Sequence, residues 1–210
     1  MIDCSVNYGR HVIDGYLRQS LPFRSVLGIG AGQGYNPLAA KPLAADASLS
    51  AEETCPGVVR LLRDNGIGVK TAGLEREQLP FQNRSGDIVM ANQVLEHMKG
   101  TFWIFHEISR MLRSRGRVII GVPTRVSFHN WILLFFGRQP TQVKTGSAHV
   151  RGFIKRDLPG FLEAVFPGGY WLAASGGSNF CPFLLFPARP LADLFPGTKG
   201  PETIYYLGER

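Results

Sequence analysis

Short aliphatic and β-branched runs alternate with stretches of helical spacing along the first two thirds of the chain. The runs are "SVLGIG" (25–30), "PLAAD" (42–46), "GVKTA" (68–72), "GDIVMA" (86–91) and "RVIIGVP" (117–123). Five strands joined by crossovers predict a parallel sheet. The clearest helix is predicted over 101–114, where Ile104, Phe105, Ile108, Met111 and Leu112 recur on one face and "RSRG" supplies closing cations and a glycine stop. A second is predicted in "AEETCPGVVRLLRDNG", its regular part following Pro56 and Gly57 and ending at Gly66. After Gly152, "RDLPGFLEAVF" reads as a helix, and "YWLAAS" and "TIYYLG" as strands, bringing the sheet to seven. The segment 123–152 mixes aromatic, glycine and polar residues and is expected to be an insertion.

Composition narrows the class. With 210 residues, 44% hydrophobic and 19% charged, the chain can bury one substantial core, so 1–210 is expected to form a single domain. The net charge of +7 would suit a polyanion or an anionic membrane surface. Yet the basic residues are scattered, "RSRGR" (113–117) being the densest group. Three cysteines, Cys4, Cys55 and Cys181, lack metal-ligand spacing and cannot all pair, so a reducing, cytoplasmic setting is expected. "MIDCSVNYGRH" has no long apolar core, and "WILLFF" and "PFLLFP" are too short to span a bilayer. A soluble protein is expected, with surface contact to a membrane left open.

The first strand runs into Gly28, Gly30, Gly32 and Gly34. Glycines there let a ligand approach the main chain, although close backbone packing uses the same residues. A dinucleotide fingerprint needs glycine at its sixth position, which here is Gln33 or Tyr35, and the phosphate loop with Gly-Lys-Ser/Thr is absent. What remains is Gly30-Ala31-Gly32-Gln33-Gly34. With this turn the sequence resembles the class I methyltransferases that use S-adenosylmethionine. "VLGIGAGQG" (26–34), "REQLPFQNRSGDIVMANQVLEHM" (76–98) and "EISRMLRSRGRVIIGVPT" (107–124) are similar, in order, to that family's first strand and turn, its fourth strand with the following helix start, and its fifth strand. "NYGRHVIDGYLR" (7–18) is similar to its leading helix.

The resemblance implies an α/β, Rossmann-like three-layer sandwich with a seven-stranded, mostly parallel sheet whose last strand is antiparallel. It implies S-adenosylmethionine as cofactor, approached by Gly30, Ala31, Gly32 and Gly34. An acid ending the second strand would accept from the ribose hydroxyls; Asp46 is the candidate, unless it is a turn or capping residue. Glu75 falls where the family often has an acid near the adenine amine, or is a solvated loop residue. Asn92 would lie beside the sulfonium or lean toward the acceptor, or serve local backbone groups. Gly28 departs from the pattern, because the family usually has an acid there; Gln33 or Arg10 could support the cofactor's amino acid end instead.

Methyl transfer from a sulfonium needs positioning above all, and a base only where the acceptor must lose a proton. His97, in "LEH", and His149, in the insertion expected to fold over the site, are the candidate catalytic residues, with Arg151 available to an anionic acceptor. A packed His97 and a surface His149 are the plainer alternatives. His106 and His129 have no partners at ligand spacing, and no metal is predicted. "FHNWILLFFGRQP" (128–140) has the bulk for a lid over an apolar acceptor, for lipid contact, or for core packing.

The expected function is methyl transfer to a small molecule, for instance a lipid- or glycan-linked intermediate. A D-P-P-Y motif, which would indicate nucleic-acid amino methylation, is absent where "ANQVLEHM" stands, so a nucleic-acid partner is not expected, although the charge of +7 keeps RNA methylation as the less favoured alternative. A cofactor-binding regulator of the same fold without transfer activity is the alternative from another class. Oligomeric state is not readable.

Overall fold

The first apolar run forms β1 (Ser25–Ile29), and those at 68–72, 86–91 and 117–123 fall in β3 (Gly68–Lys70), β4 (Gly86–Asn92) and β5 (Leu112–Pro123); β2 (Ser48–Glu52), β6 (Tyr170–Gly177) and β7 (Glu202–Glu209) complete the set. In the computed structural model, which describes residues 9–75, 77–124, 128–139, 149–177 and 202–209, they make one sheet of order β3-β2-β1-β4-β5-β7-β6. β1 to β5 are parallel, and β7 lies antiparallel between β5 and β6. Cys4, Cys181, "PFLLFP" and much of the 123–152 segment lie outside the described residues.

Period-two burial divides the core between the two faces of the sheet. Leu27, Val89, Ala91, Val118 and Ile120 face α4 (Thr101–Met111) and α6 (Asp157–Val165), which contribute Ile104, Phe105, Ile108, Leu158 and Leu162. Val26, Ile88, Met90 and Ile119 face α1 (Arg10–Gln19) and α3 (Pro56–Asp64), which contribute Ile13, Leu17 and Leu62. Between β1 and β2 lies only the four-residue α2 (Tyr35–Leu38). α5 (Phe128–Phe135) falls within the expected insertion and ends near exposed Leu134, Phe135 and Phe136. No described helix is long and apolar enough to cross a membrane.

Two boundaries differ from the sequence expectation. Residues 42–46 are turns rather than a strand: Leu43 and Ala44 N–H both donate to Ala40 O, prolonging the winding after α2. The second strand is instead "SLSAE", paired residue for residue with Ser25–Ile29, and its low apolar content hid it. The helix predicted over 101–114 stops at Met111, because Leu112 pairs with Gly86 while Arg110 O and Met111 O accept from Arg84 and Ser85 N–H. "RSRG" is therefore a bulged strand opening, with Arg115 at φ 63°, and does not cap a helix.

Polar bonds lock the segments that carry the motifs. Asp87, opening β4, accepts from Arg24 and Ser25 N–H at 2.7 and 2.9 Å and pairs with Arg113 at 2.8 Å. On α4, buried Glu107 accepts from Leu79 N–H at 2.7 Å and from Arg110, whose guanidinium also donates to the Leu79 and Phe81 carbonyls. The "LPF" bend is thus held from beneath by the first and fourth residues of "EISR".

Candidate functional site

The carboxyl ends of β1 and β4 open onto a cleft of about 540 Å³, lined by Gly30, Ala31, Gly32 and Gln33 on one side and by Asn92, Gln93, Glu96, His97 and His149 on the other. Arg10, Tyr35 and Asn36 complete its wall. Ligands of open α/β sheets sit at such strand ends.

The turn after β1 takes positive φ at Gly30 (57°), Gly32 (51°) and Gly34 (77°), a region that side chains disfavour. Surroundings distinguish these three. A Cβ on Gly34 would overlap Leu62, and one on Gly30 would come within 2.8 Å of Val94, whereas one on Gly32 would meet nothing within 4 Å. Gly32 therefore leaves a space that a bound group can occupy. Gly28 has a different reason: its Cβ would lie 3.0 Å from Pro37 of α2, which packs where an acidic side chain would stand.

Asp46 does not end the second strand; it is exposed in the turn before β2. The acids at that strand's end are Glu52 and Glu53. Glu52 accepts from Gly30 N–H at 3.2 Å, and Glu53 accepts from Gly32 N–H at 2.9 Å and from Thr54 and Cys55 N–H. Burial pushes the Glu52 carboxyl up to about 7; the Gly30 N–H opposes this, the Glu53 charge adds to it, and the Ala72 N–H opposes it. A raised folded-state pKa favours folding below the unfolded value and loses that advantage as pH rises through the folded one. Wild type should therefore lose on the order of 2 kcal/mol relative to Glu52→Gln between about pH 5 and pH 8. Denaturant melts of both proteins across that range check it, and parallel curves would contradict it.

The other candidates occupy distinct places. Asn92 ends β4 opposite Gly121, whose missing Cβ leaves room for the Asn92 amide. Gln93 follows at φ 60°, its N–H donating to Gly121 O at 2.8 Å, so the chain turns sharply into the cleft wall. Glu75 is not among the cleft-lining residues and accepts from Lys99 N–H. Arg151 donates to the carbonyls of Met98, at 3.1 Å, and Lys99, so its guanidinium is engaged with backbone rather than facing the cleft. Val150 and Arg151 N–H also bind Glu96 O at 2.9 and 3.2 Å. This clamp carries His149 across to His97.

The two imidazoles meet edge to face, with centroids 4.7 Å apart. Beside them Glu96, in the 3-10 turn Leu95–His97, is fully buried, and neither carboxylate oxygen has a hydrogen-bond partner by geometry among the described residues. Burial pushes its pKa up to about 7, opposed only by its own backbone N–H. One ligand atom from each of Glu96, His97 and His149 lies within 4.8 Å of the others. Sequence reasoning missed Glu96, Gln93, Glu52, Glu53 and Tyr35; only "LEH" carried a visible hint of the first.

Arg10 lies over the Tyr35 ring, 4.0 Å from its centroid, and places a fixed positive charge at the cleft wall. With the bare turn at Gly32 it fits an amino acid end carrying a carboxylate. The residues present thus suit a ligand with a charged head and a polar middle.

A family described as "Methyltransferase domain" matches residues 27–120. A probable S-adenosylmethionine-dependent methyltransferase of Mycobacterium tuberculosis is 32% identical over 110 residues, which are 50% of this chain and 38% of that protein. A malonyl-[acyl-carrier protein] O-methyltransferase of Hahella chejuensis is 29% identical over 104 residues, 49% of this chain and 37% of that one. This chain therefore aligns with well under half the length of either relative. Among solved structures, a methyltransferase from Thermotoga maritima superposes with a TM-score of 0.66 at 19% identity, covering 96% of this chain and 90% of that one. One from Archaeoglobus fulgidus gives 0.64 at 15% identity, covering 96% and 94%. The fold is the Rossmann-like methyltransferase fold.

Proposed function

We propose that the chain is a class I S-adenosylmethionine-dependent methyltransferase and that it transfers the cofactor's methyl group to a small molecule held between Asn92 and the two cleft histidines. One observation carries this reading: a single cleft joins the glycine turn to His97 and His149. The bound cofactor supplies a methyl group on a positively charged sulfur, already activated for displacement.

The chain's own residues do the rest by placement. Gly32 leaves its space to the cofactor, Arg10 pairs with the methionine carboxylate, and Glu52 or Glu53 accepts from the ribose hydroxyls in place of Asp46. Asn92 stands at the reacting centre. His97 and His149 hold and polarise the acceptor's nucleophilic atom from the opposite wall. His149, held beside the Leu95–His97 turn by the bonds of Val150 and Arg151 N–H to Glu96 O, closes the acceptor side. The likeness to the Hahella malonyl-[acyl-carrier protein] O-methyltransferase supports an oxygen acceptor.

Titration of S-adenosylmethionine into the full chain, followed by labelled-methyl transfer to a panel of hydroxy, carboxy and amino acceptors, tests this. Failure to bind at about 1 mM cofactor would sink it. Binding with no turnover across the panel would favour the regulator reading, for which the Pro37-filled gap at Gly28 speaks. A salt-sensitive gel shift with RNA would move the acceptor class to nucleic acid. Arg10→Ala should weaken cofactor binding about tenfold, the loss expected for a half-exposed charge-assisted bond, with the melting point little changed. Calorimetry reads that change directly.

A further inference from the structure

Glu96, His97 and His149 come from two segments 52 positions apart and converge on one wall of the cleft, with a ligand atom from each within 4.8 Å of the others. We propose that they bind a divalent transition-metal cation such as zinc. Two imidazoles and one carboxylate form a donor set suited to borderline divalent metals, with open positions left for other ligands.

A second observation points the same way. The Glu96 side chain is 0% exposed, lines the cleft, and offers two carboxylate oxygens that accept no hydrogen bond by geometry. Burying an anionic group without partners costs several kcal/mol, and a bound cation removes that cost. The basic groups that reach this carboxylate are the imidazoles themselves, His97 Nε2 lying 3.9 Å from Glu96 Oε1. In a tetrahedral zinc site, bonds near ~2.0–2.1 Å put ligand atoms about 3.3 Å apart, so the present spacing of up to 4.8 Å would have to close on binding.

The surrounding bonds favour a preformed site. Val150 and Arg151 N–H are tied to Glu96 O, and Arg151 to Met98 O and Lys99 O, so the segment bearing His149 is fixed to the turn bearing the other two donors. All three residues line the cleft that the glycine turn also lines. A cation there suits an acceptor with an oxygen donor, and the histidines then act on the acceptor through the metal. This role in transfer rests on the proposed activity; the binding of metal does not.

The test is read without cofactor or acceptor. The full chain, stripped with chelator, is titrated with zinc, and bound metal is counted by mass spectrometry and calorimetry. One equivalent per chain is expected, together with a rise in melting temperature and visible d–d absorption on cobalt substitution. Glu96→Gln and His149→Ala should each weaken binding at least tenfold, while His106→Ala, on the exposed side of α4, should not. His149→Ala alters a partly exposed loop residue and keeps the test valid should Glu96→Gln fail to fold. Absence of stoichiometric zinc, or full binding in His149→Ala, overturns the site. Methyl transfer by metal-free protein would leave the enzyme reading intact and remove the metal from it, so the two readings fail separately.

Discussion

Glu107→Ala should lower the unfolding free energy by about 3–5 kcal/mol, the range for removing one member of a buried ion pair. The carboxylate is 1% exposed and holds three bonds at once: Leu79 N–H at 2.7 Å, Arg110 Nε at 2.9 Å and Arg110 Nη2 at 2.7 Å. Its loss leaves the Leu79 amide without its partner and Arg110 buried beside carbonyls alone. Glu107→Gln should fall between wild type and Ala, since its amide oxygen can still accept from Leu79. Burial opposes ionisation of Glu107, but the bonds from Arg110 and Leu79 outweigh it and hold the carboxyl below its usual range. That stabilisation is present above the unfolded pKa and is lost as pH falls through the folded one, so wild type and Ala should converge in acid. Denaturant melts at neutral and acidic pH read both effects; an Ala variant within about 1 kcal/mol of wild type at neutral pH would contradict the assignment.

The same pair explains what was legible in the sequence. "LPF" and "EISR" stand 28 positions apart, from Leu79 to Glu107, yet each was recognisable because one residue of the second motif bonds the backbone of the first. Strands β1 and β4 and the 118–123 part of β5 were equally legible, being largely buried on both faces and therefore mostly apolar. β2 was not, since only Leu49 and Ala51 alternate in "SLSAE" while the more apolar "PLAAD" beside it is turn; Asp46 was chosen on that false strand, and Glu52 and Glu53 were passed over. Glu96 escaped for another reason. Its meeting with His149 depends on backbone bonds between residues 96–99 and 150–151, and no local spacing encodes a contact of that range.

Gly32→Ala should leave the protein folded and remove most cofactor binding, while Gly34→Ala should do nearly the reverse. Both positions hold positive φ, so each substitution carries a conformational cost of about 1–2 kcal/mol. At Gly34 the new Cβ also overlaps Leu62 and comes 3.1 Å from Ile67, both in the core beneath α3; overpacking adds about 1–3 kcal/mol. At Gly32 no described residue beyond its chain neighbours lies within 4 Å of the new Cβ, and the methyl would enter the cleft itself. A cofactor seated on the turn then clashes with it, and affinity should fall by at least tenfold while the melting temperature drops only slightly. Paired measurements of melting and of S-adenosylmethionine binding separate the two variants. Undiminished binding in a folded Gly32→Ala protein would mean that the cofactor does not approach the main chain there, and Gly32 would then be explained by its positive φ alone.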